Sequence, residues 1–300
     1  MKKRLFLTLF ALTLCAAPQA PAAPGDEPEL TGGELYQRFT DALDAMQTLT
    51  LDSKYLWTAG GETIGDCTIR YFLKKPDLYR VEIIDRNDTL AGVLVCDSKF
   101  CWKRWPLGTT FFSQYSDAIK NETDIYTKDR AIRGMSISHQ LNLLPEVCMP
   151  VFNANAFFGG DESVMAYLDE IELIGEEEID GEPCHKLRVS MMEGQRVRTI
   201  WLSKKDFLPR KLFGDLVVAN PQTTTEVWSR ITVDSELAED LFAWTPPDGF
   251  EERRVPTVQE MILQVGDTAA DFTLDDAEGK PLALADYKGK IIWLMFWRIG

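Results

Sequence analysis

The chain has 300 residues, of which 45% are hydrophobic, so it can form one large or two medium domains with a sizeable core, and general disorder is excluded. Its formal net charge of -15 gives a surface that repels nucleic acid and anionic lipid headgroups. We therefore predict a soluble protein without a nucleic-acid partner.

The N-terminus predicts a secretory signal peptide. Met1–Arg4 is basic, Leu5–Ala17 is apolar, and Ala20–Ala22 offers an A-x-A cleavage site. The apolar stretch is too short to span a bilayer. Lipid anchoring at Cys15 is disfavoured because the bulky Leu14 stands where lipidation signals have a small residue.

A helix followed by a β-meander is predicted from a change in apolar spacing. Leu35, Phe39, Leu43 and Met46 recur at intervals of three and four, which indicates an amphipathic helix. From about residue 49, β-rich runs are separated by turns at intervals of roughly 8–12 residues, which is typical of antiparallel strands. The predicted strands are Thr50–Trp57, Cys67–Leu73, Tyr79–Ile84, Thr89–Cys96 and Phe100–Trp105.

A helical insertion is predicted between this meander and a second set of strands. Asp129–Leu144 and Ser163–Leu168 have helical spacing, and we expect them to cross one face of the sheet. Asp180-Gly181 and Glu193-Gly194 are dipeptides typical of hairpin turns. The second set of predicted strands is Glu170–Gly175, Cys184–Met191, Arg196–Leu202, Leu208–Phe213 and Thr224–Val233.

Five of the six cysteines follow the signal peptide, an odd number that leaves at least one thiol free or bonded to another chain. Cys96 and Cys101 flank the Asp97-Ser98-Lys99 turn, where residues facing each other can lie within disulfide distance. Two alternatives stay open for this pair, a disulfide or two small buried thiols. Because the chain has only two histidines and no C-x-x-C motif, we predict no metal site, no bound cofactor and no catalytic residue.

Three strings in the middle of the chain resemble the LolA/LolB-like superfamily of periplasmic lipoprotein-carrier folds. They are the hairpin Gly175–Leu187, the strand pair Trp201–Leu212 and the ending Leu241–Pro247. The resemblance implies an α+β domain in which a strongly curved antiparallel sheet wraps helices. It also implies an apolar cavity that holds acyl chains, so that a hydrophobic ligand or a lipoprotein is the expected partner.

Aromatic side chains are candidates for lining such a cavity, although they fit ordinary core packing equally well. We expect an open apolar space between sheet and helices if the protein is a carrier, and a filled core if it is not. The candidates are Tyr55, Trp57, Phe72, Tyr79, Trp102, Trp105 and Phe111.

The C-terminal residues are similar to the start of the redoxin and TlpA-like thiol-disulfide reductases, which have a thioredoxin-like α/β fold. The similarity lies in Val265–Leu274, Leu282–Lys290 and Ile291–Trp297, with Ala270 where the family usually has proline. Ile291–Trp297 is a continuous apolar run typical of a buried central strand. In that family a C-x-x-C motif follows at a helix N-terminus, where the thiolate is stabilised, and the sequence stops before that motif.

We therefore expect a fragment of a longer exported protein, while a natural terminus at Gly300 stays open. The predicted fold class is a curved antiparallel sheet wrapping helices, followed by an incomplete thioredoxin-like α/β segment. The predicted domains are a signal peptide at 1–23, a LolA-like domain at 30–250, a linker at 251–262 and a truncated thioredoxin-like domain at 263–300.

Two functions follow from these resemblances. The full-length protein would be a thiol-disulfide oxidoreductase or an antioxidant relative with a redox partner protein, although this chain lacks the catalytic cysteines. The alternative is a non-enzymatic periplasmic carrier or binding module for lipid or lipoprotein acyl chains. Both place the mature protein in the periplasm or another extracytoplasmic space, without a transmembrane span.

Overall fold

A computed structural model of the chain describes residues 30–104, 125–131, 137, 150–160, 163–217, 221–252, 263–276, 278–293 and 295. The chain divides into two units, Met1–Glu251 and Glu252–Gly300. The predicted signal peptide, Trp105 and Phe111 lie outside the described residues.

Helix α1 (Gly32–Ala45) forms where the apolar spacing predicts it. The Thr31 hydroxyl accepts a hydrogen bond from the backbone of Glu34, and the Glu34 carboxylate accepts one from the backbone of Thr31, a reciprocal capping box. The helix buries Leu35, Phe39 and Leu43, which lie on one face at spacings of four. It packs against the sheet strands described next and against a 3-10 turn at Ala154–Phe158.

Twelve strands form one sheet, in the spatial order β12-β6-β5-β4-β3-β2-β1-β11-β10-β9-β8-β7. The chain enters at the centre with β1 and runs outward through neighbouring antiparallel strands to β6. It returns from β7 at the opposite edge until β11 pairs antiparallel with β1, and β12 lies beside β6. The strands are β1 (Thr48–Ala59), β2 (Glu62–Lys74), β3 (Leu78–Ile84), β4 (Leu90–Asp97), β5 (Phe100–Arg104), β6 (Ile125–Arg130), β7 (Leu168–Ile179), β8 (Glu182–Met191), β9 (Arg196–Ser203), β10 (Pro209–Leu216), β11 (Gln222–Val233) and β12 (Glu251–Glu252).

The two faces of the sheet follow from its register, because residues directly opposite each other on antiparallel strands share a face. Tyr55 lies opposite Glu226 on β11 and opposite Cys67 on β2, and Leu51 lies opposite Tyr71. We call the face that carries these residues the inner face. Alternate residues of β2 on this face, from Cys67 to Leu73, are buried, whereas their neighbours on the other face are partly exposed.

The other face is covered in part by the chain that follows β11. Phe242, in a 3-10 turn at Glu239–Phe242, is buried there, and this turn contacts β3 and β4. The Arg80 side chain donates a hydrogen bond to the carbonyl of Leu241 over 3.4 Å. Farther along, the Trp244 ring meets the ring of Tyr126 at a centroid distance of 5.4 Å.

The predicted fold class is wrong. The described part of the chain is a large antiparallel sheet with one α-helix, not a sheet that wraps several helices. Of the predicted helical insertion Asp129–Leu144, the first two residues instead end strand β6, because they pair with Phe100 and Cys101 of β5. Residues 132–136 and 138–144 lie outside the described residues. The second predicted insertion helix is a 3-10 turn at Ser163–Tyr167, and Leu168 already belongs to β7.

The predicted thioredoxin-like α/β segment is also not found. The second unit contains a small hairpin, β13 (Thr273–Asp275) with β14 (Pro281–Ala283), and a 3-10 turn at Leu284–Tyr287. Ile291 and Trp293 were expected in a buried central strand, but their exposures are 105% and 88% and neither lies in a strand. A buried strand needs backbone partners on both sides, and the described residues of this unit supply none for this run.

Candidate functional site

A row of apolar side chains crosses the inner face from β7 to β2 and is interrupted by a single acidic residue. The register places Glu226 directly between Leu212 of β10 and Tyr55 of β1. Glu226 and Tyr55 are fully buried and Leu212 nearly so. The whole row consists of Leu173, Leu187, Ile200, Leu212, Glu226, Tyr55 and Cys67.

Residues 150–160, which we call the cover segment, lie against this face. The Phe152 ring stands edge-on between two inner-face rings, with centroid distances of 4.7 Å to Trp228 and 5.5 Å to Tyr71. Beside it, Val151 packs over Gly214, where an added Cβ would come within 3.0 Å of the valine side chain. The absence of a side chain at Gly214 thus makes room for the cover segment.

Glu226 holds the beginning of the cover segment. One carboxylate oxygen, Oε1, accepts hydrogen bonds from the backbone N–H groups of Val151 at 2.5 Å and Phe152 at 3.2 Å. The other oxygen accepts one from the Ser53 hydroxyl at 3.1 Å. Burial raises the pKa of Glu226 above its ordinary value of 4.5, and these hydrogen bonds oppose the shift only in part.

Aromatic contacts hold the far end of the cover segment. The Phe158 ring lies 6.1 Å from the ring of Tyr79 on β3 and 5.0 Å from that of Phe157. The Lys75 ammonium lies 4.9 Å from the centre of the Phe157 ring and donates hydrogen bonds to the carbonyls of Leu43 and Asp44 at the end of α1. Lys75 therefore joins the helix and the cover segment.

Cys96 and Cys101 lie beside this end of the cover segment, directly opposite each other on β4 and β5. Their sulfur atoms are 2.7 Å apart, and the Tyr79 hydroxyl is 3.3 Å from the Cys101 sulfur. The hydrogen bond from Cys101 lowers the pKa of the Cys96 thiol, and the same contact together with burial raises the pKa of Cys101. The sequence offered no reason to expect a perturbed thiol, because the perturbing groups are the partner cysteine and a tyrosine from another strand.

Two buried hydroxyl groups of the inner face have no hydrogen-bond partner among the described residues, Tyr71 Oη and Thr127 Oγ1. They belong to one row of the register, in which Tyr71 of β2 lies opposite Val81, Val81 opposite Leu94, Leu94 opposite Lys103, and Lys103 opposite Thr127. Burial, with the nearby charge of Glu226, raises the pKa of Tyr71 well above 10.0, so that its hydroxyl stays protonated.

The register divides the predicted aromatic candidates between the two faces. Tyr55, Trp57 and Tyr79 lie on the inner face. Phe72 and Trp102 lie on the other face, in the row that also contains Arg80 and Val95. Neither Glu226 nor Phe152 was predicted from the sequence as a site residue. The signal for Glu226 was present, because the alternation Thr224, Glu226, Trp228 sets a carboxylate among buried positions of a strand.

A family described as "Predicted periplasmic protein (DUF2092)" matches residues 157–254, about a third of the chain. This match confirms the prediction of export to the periplasm. Among the described residues, no helix is both long enough and apolar enough to cross a membrane. No curated protein matches the chain.

Several solved structures match the chain at low identity. A LolA superfamily protein from Nitrosomonas europaea has 8% identity and a TM-score of 0.34, and the match covers 72% of this chain and 99% of that chain. The Mycobacterium tuberculosis lipoprotein LppX has 12% identity and a TM-score of 0.39, with 69% and 96% covered. LprF from Mycobacterium bovis has 8% identity and a TM-score of 0.38, with 73% and 97% covered.

These matches include a LolA superfamily protein, as the resemblance in the sequence implies, but none has a TM-score that carries an argument about function. None of the comparisons supports the redoxin resemblance or an oxidoreductase activity. The functional argument below therefore rests on the geometry of the inner face.

Proposed function

We propose that the protein is a non-enzymatic periplasmic binding protein that holds an apolar chain, from a lipid or a lipoprotein, between the inner face and the cover segment. The observation that carries this proposal is the position of Phe152. Its side chain lies between the rings of Tyr71 and Trp228 on the inner face, in the place that an acyl chain would take.

The cover segment is built so that it can leave the sheet. Val151 and Phe152 donate their backbone N–H groups to the Glu226 side chain, and the Gly160 N–H donates to the Asn155 carbonyl within the segment. No strand pairing joins residues 150–160 to the sheet. Segments with few backbone bonds to the rest of the fold open at low free-energy cost.

Burial of an acyl chain can offset the release of Phe152 and of the two hydrogen bonds to Glu226. Each methylene removed from water contributes about 0.8 kcal/mol, so ten methylenes contribute about 8 kcal/mol. Releasing the Phe152 side chain costs about 1.5–3 kcal/mol. The two N–H bonds to Glu226 are exchanged for bonds to water at about 1 kcal/mol each. The burial free energy that is left after these two costs compensates in part for the entropy lost on association.

The two unpartnered hydroxyls give such a ligand a polar contact. Tyr71 Oη and Thr127 Oγ1 are buried on the same face, where the ester or carboxyl group of a lipid would otherwise lose its hydrogen bonds to water. A protonated tyrosine can donate to the oxygen of either group. The site therefore suits a chain that is apolar along its length and carries an oxygen acceptor.

The direct test is to purify the protein from a bacterial periplasm and examine it by native mass spectrometry, followed by lipid extraction. We expect copurified lipid, or stoichiometric binding of the fluorescent fatty acid cis-parinaric acid by the delipidated protein. Phe152→Leu, which keeps an apolar side chain but removes the ring, should bind the probe more tightly than the unchanged protein. Phe72→Leu is the matched control, because Phe72 lies on the other face.

The proposal would be contradicted if no lipid copurified and if neither the unchanged protein nor Phe152→Leu bound the probe. Equal tightening by the Phe72 and Phe152 variants would show that the probe binds elsewhere. In either case the inner face would be an ordinary filled core.

A further inference from the structure

The β4–β5 hairpin presents its two cysteines to each other. Its turn is set by Asp97, whose Oδ1 accepts hydrogen bonds from the backbone of Lys99 at 2.9 Å and of Phe100 at 2.7 Å. Ser98 has a φ of 71°, which closes the turn tightly. Cys96 and Cys101 are the first pair beyond this turn in the register. The hairpin therefore fixes both side chains on one face before any distant part of the chain is involved.

The two sulfur atoms are 2.7 Å apart. This distance is shorter than the separation of about 3.5–4.0 Å at which non-bonded carbon atoms pack. The bonded distance is about 2.0 Å. The exposures of Cys96 and Cys101 are 3% and 1%. In the register Cys96 and Cys101 are direct cross-strand partners.

We propose that Cys96 and Cys101 form a disulfide in the exported protein, made by exchange with the disulfide of a periplasmic thiol oxidase. The periplasm is an oxidising compartment in which such enzymes maintain disulfides. The family match at residues 157–254 supports that location independently of the cysteines.

The exchange proceeds in two balanced steps. The Cys96 thiolate, whose formation is helped by the hydrogen bond from Cys101, attacks one sulfur of the oxidase disulfide and releases the other sulfur of the oxidase as a thiolate. The Cys101 sulfur then loses its proton, attacks the Cys96 sulfur and releases the second oxidase sulfur. The chain loses two protons and two electrons, and the oxidase gains both as two thiols.

Burial determines when this exchange occurs. An oxidase cannot reach sulfurs with exposures of 3% and 1%, so the bond forms while the hairpin is still accessible during folding. The same burial then protects the bond from reductants. Tyr79 lies between the pair and the cover segment, since its hydroxyl contacts the Cys101 sulfur and its ring contacts Phe158. The disulfide therefore reinforces the part of the inner face on which the far end of the cover segment rests.

The other described cysteines do not compete for this pairing. Cys67 lies opposite Tyr55, and Cys184 lies opposite Glu177 and Ser203. Neither of them therefore has a cysteine directly opposite it at these register positions. Cys148 lies outside the described residues. The expected product is one bridge within the hairpin, with Cys67 and Cys184 remaining thiols.

The test is differential alkylation of the full chain purified from a periplasm. The protein is denatured with iodoacetamide and without reductant, then reduced, labelled with a second reagent and mapped by mass spectrometry. We expect Cys96 and Cys101 to carry only the second label and Cys67 and Cys184 only the first. The same chain expressed without its first 23 residues in a reducing cytosol is the control, and there all four should carry the first label.

A variant distinguishes a disulfide between Cys96 and Cys101 from poor access of the first reagent to Cys96. In Cys101→Ser the hydroxyl keeps the size of the side chain, and Cys96 should then take the first label. The proposal is overturned if Cys96 and Cys101 of the periplasmic protein take the first label without reductant, or if either is found joined to a different cysteine.

Discussion

The two ends of the cover segment are held to the same face by different kinds of contact. Its beginning is fixed by directional hydrogen bonds from Val151 and Phe152 to the buried carboxylate of Glu226. Its far end is fixed by contacts between the rings of Phe157, Phe158 and Tyr79, above the cysteine pair. The strength of hydrogen bonds to a titratable group changes with pH, whereas the strength of packing between aromatic rings does not. The difference identifies the beginning of the segment as the end that can be released.

The largest effect is expected where Phe152 fills the inner face. Phe152→Ala removes a buried ring and leaves a cavity between Tyr71 and Trp228, which should lower the free energy of unfolding by about 3–5 kcal/mol. Urea denaturation followed by circular dichroism measures it. Phe72→Ala on the other, partly exposed face should cost much less. Equal losses would show that the cover segment contributes nothing particular to stability.

The next effect tests the carboxylate that holds the beginning of the segment. Glu226→Ala leaves the N–H groups of Val151 and Phe152 without their acceptor, and an unsatisfied buried group costs about 1–3 kcal/mol. Hydrogen exchange should accelerate at these two amides and remain slow in β1 and β2. Exchange rates at Val151 and Phe152 that match those of the unchanged protein would refute the assignment.

A similar loss is expected at the far end when the proposed disulfide is absent. Closing so short a loop removes entropy from the unfolded chain that corresponds to about 2 kcal/mol. The double variant Cys96→Ser/Cys101→Ser should be less stable than the oxidised protein by this amount. Its stability should not change on adding reductant, whereas that of the unchanged protein should fall once the chain is unfolded and reduced. Identical curves for all samples would argue against a bridge.

A smaller, pH-dependent effect separates charge from hydrogen bonding at Glu226. Because its folded-state pKa is raised above 4.5, the folded protein binds this proton more tightly than the unfolded chain. Its contribution to stability is therefore full below about pH 4.5 and is lost as the pH rises through the folded-state pKa. Glu226→Gln keeps an oxygen acceptor and has no proton to lose.

The stability of Glu226→Gln relative to the unchanged protein should consequently rise as the pH increases from about 4.5 through the folded-state pKa range of Glu226. Urea denaturation midpoints across this range measure the difference. A constant difference, or one that falls with pH, would mean that the carboxylate is not held in the buried state described here.

Alternation along the chain predicted several strands of the first unit well, because strands such as β2, β3 and β5 have one buried face and one that is partly exposed. Thr224–Val233 and Cys184–Met191, for example, correspond closely to β11 (Gln222–Val233) and β8 (Glu182–Met191). The apolar spacing of Leu35, Phe39 and Leu43 likewise predicted the helix α1. Local pattern sufficed in these cases because local contacts decide the structure.

The errors arose where distant partners decide the structure. Asp129 and Arg130 read as the start of a helix, but pairing with β5 makes them the end of a strand. The apolar run Ile291–Trp297 read as a buried strand, yet Ile291 and Trp293 are exposed and neither lies in a strand. The cover segment could not be foreseen either, since the contact between Phe152 and Glu226 joins residues 74 positions apart.

Photo-crosslinking with a fatty acid that carries a diazirine on its acyl chain tests the central claim most directly. Bound to the delipidated protein and irradiated, the probe should label inner-face residues such as Tyr71, Leu94 and Trp228 together with Phe152, as located by tandem mass spectrometry. Competition with unlabelled fatty acid should remove these labels. Labels confined to the other face, at Phe72 or Trp102, or to the second unit would contradict the account.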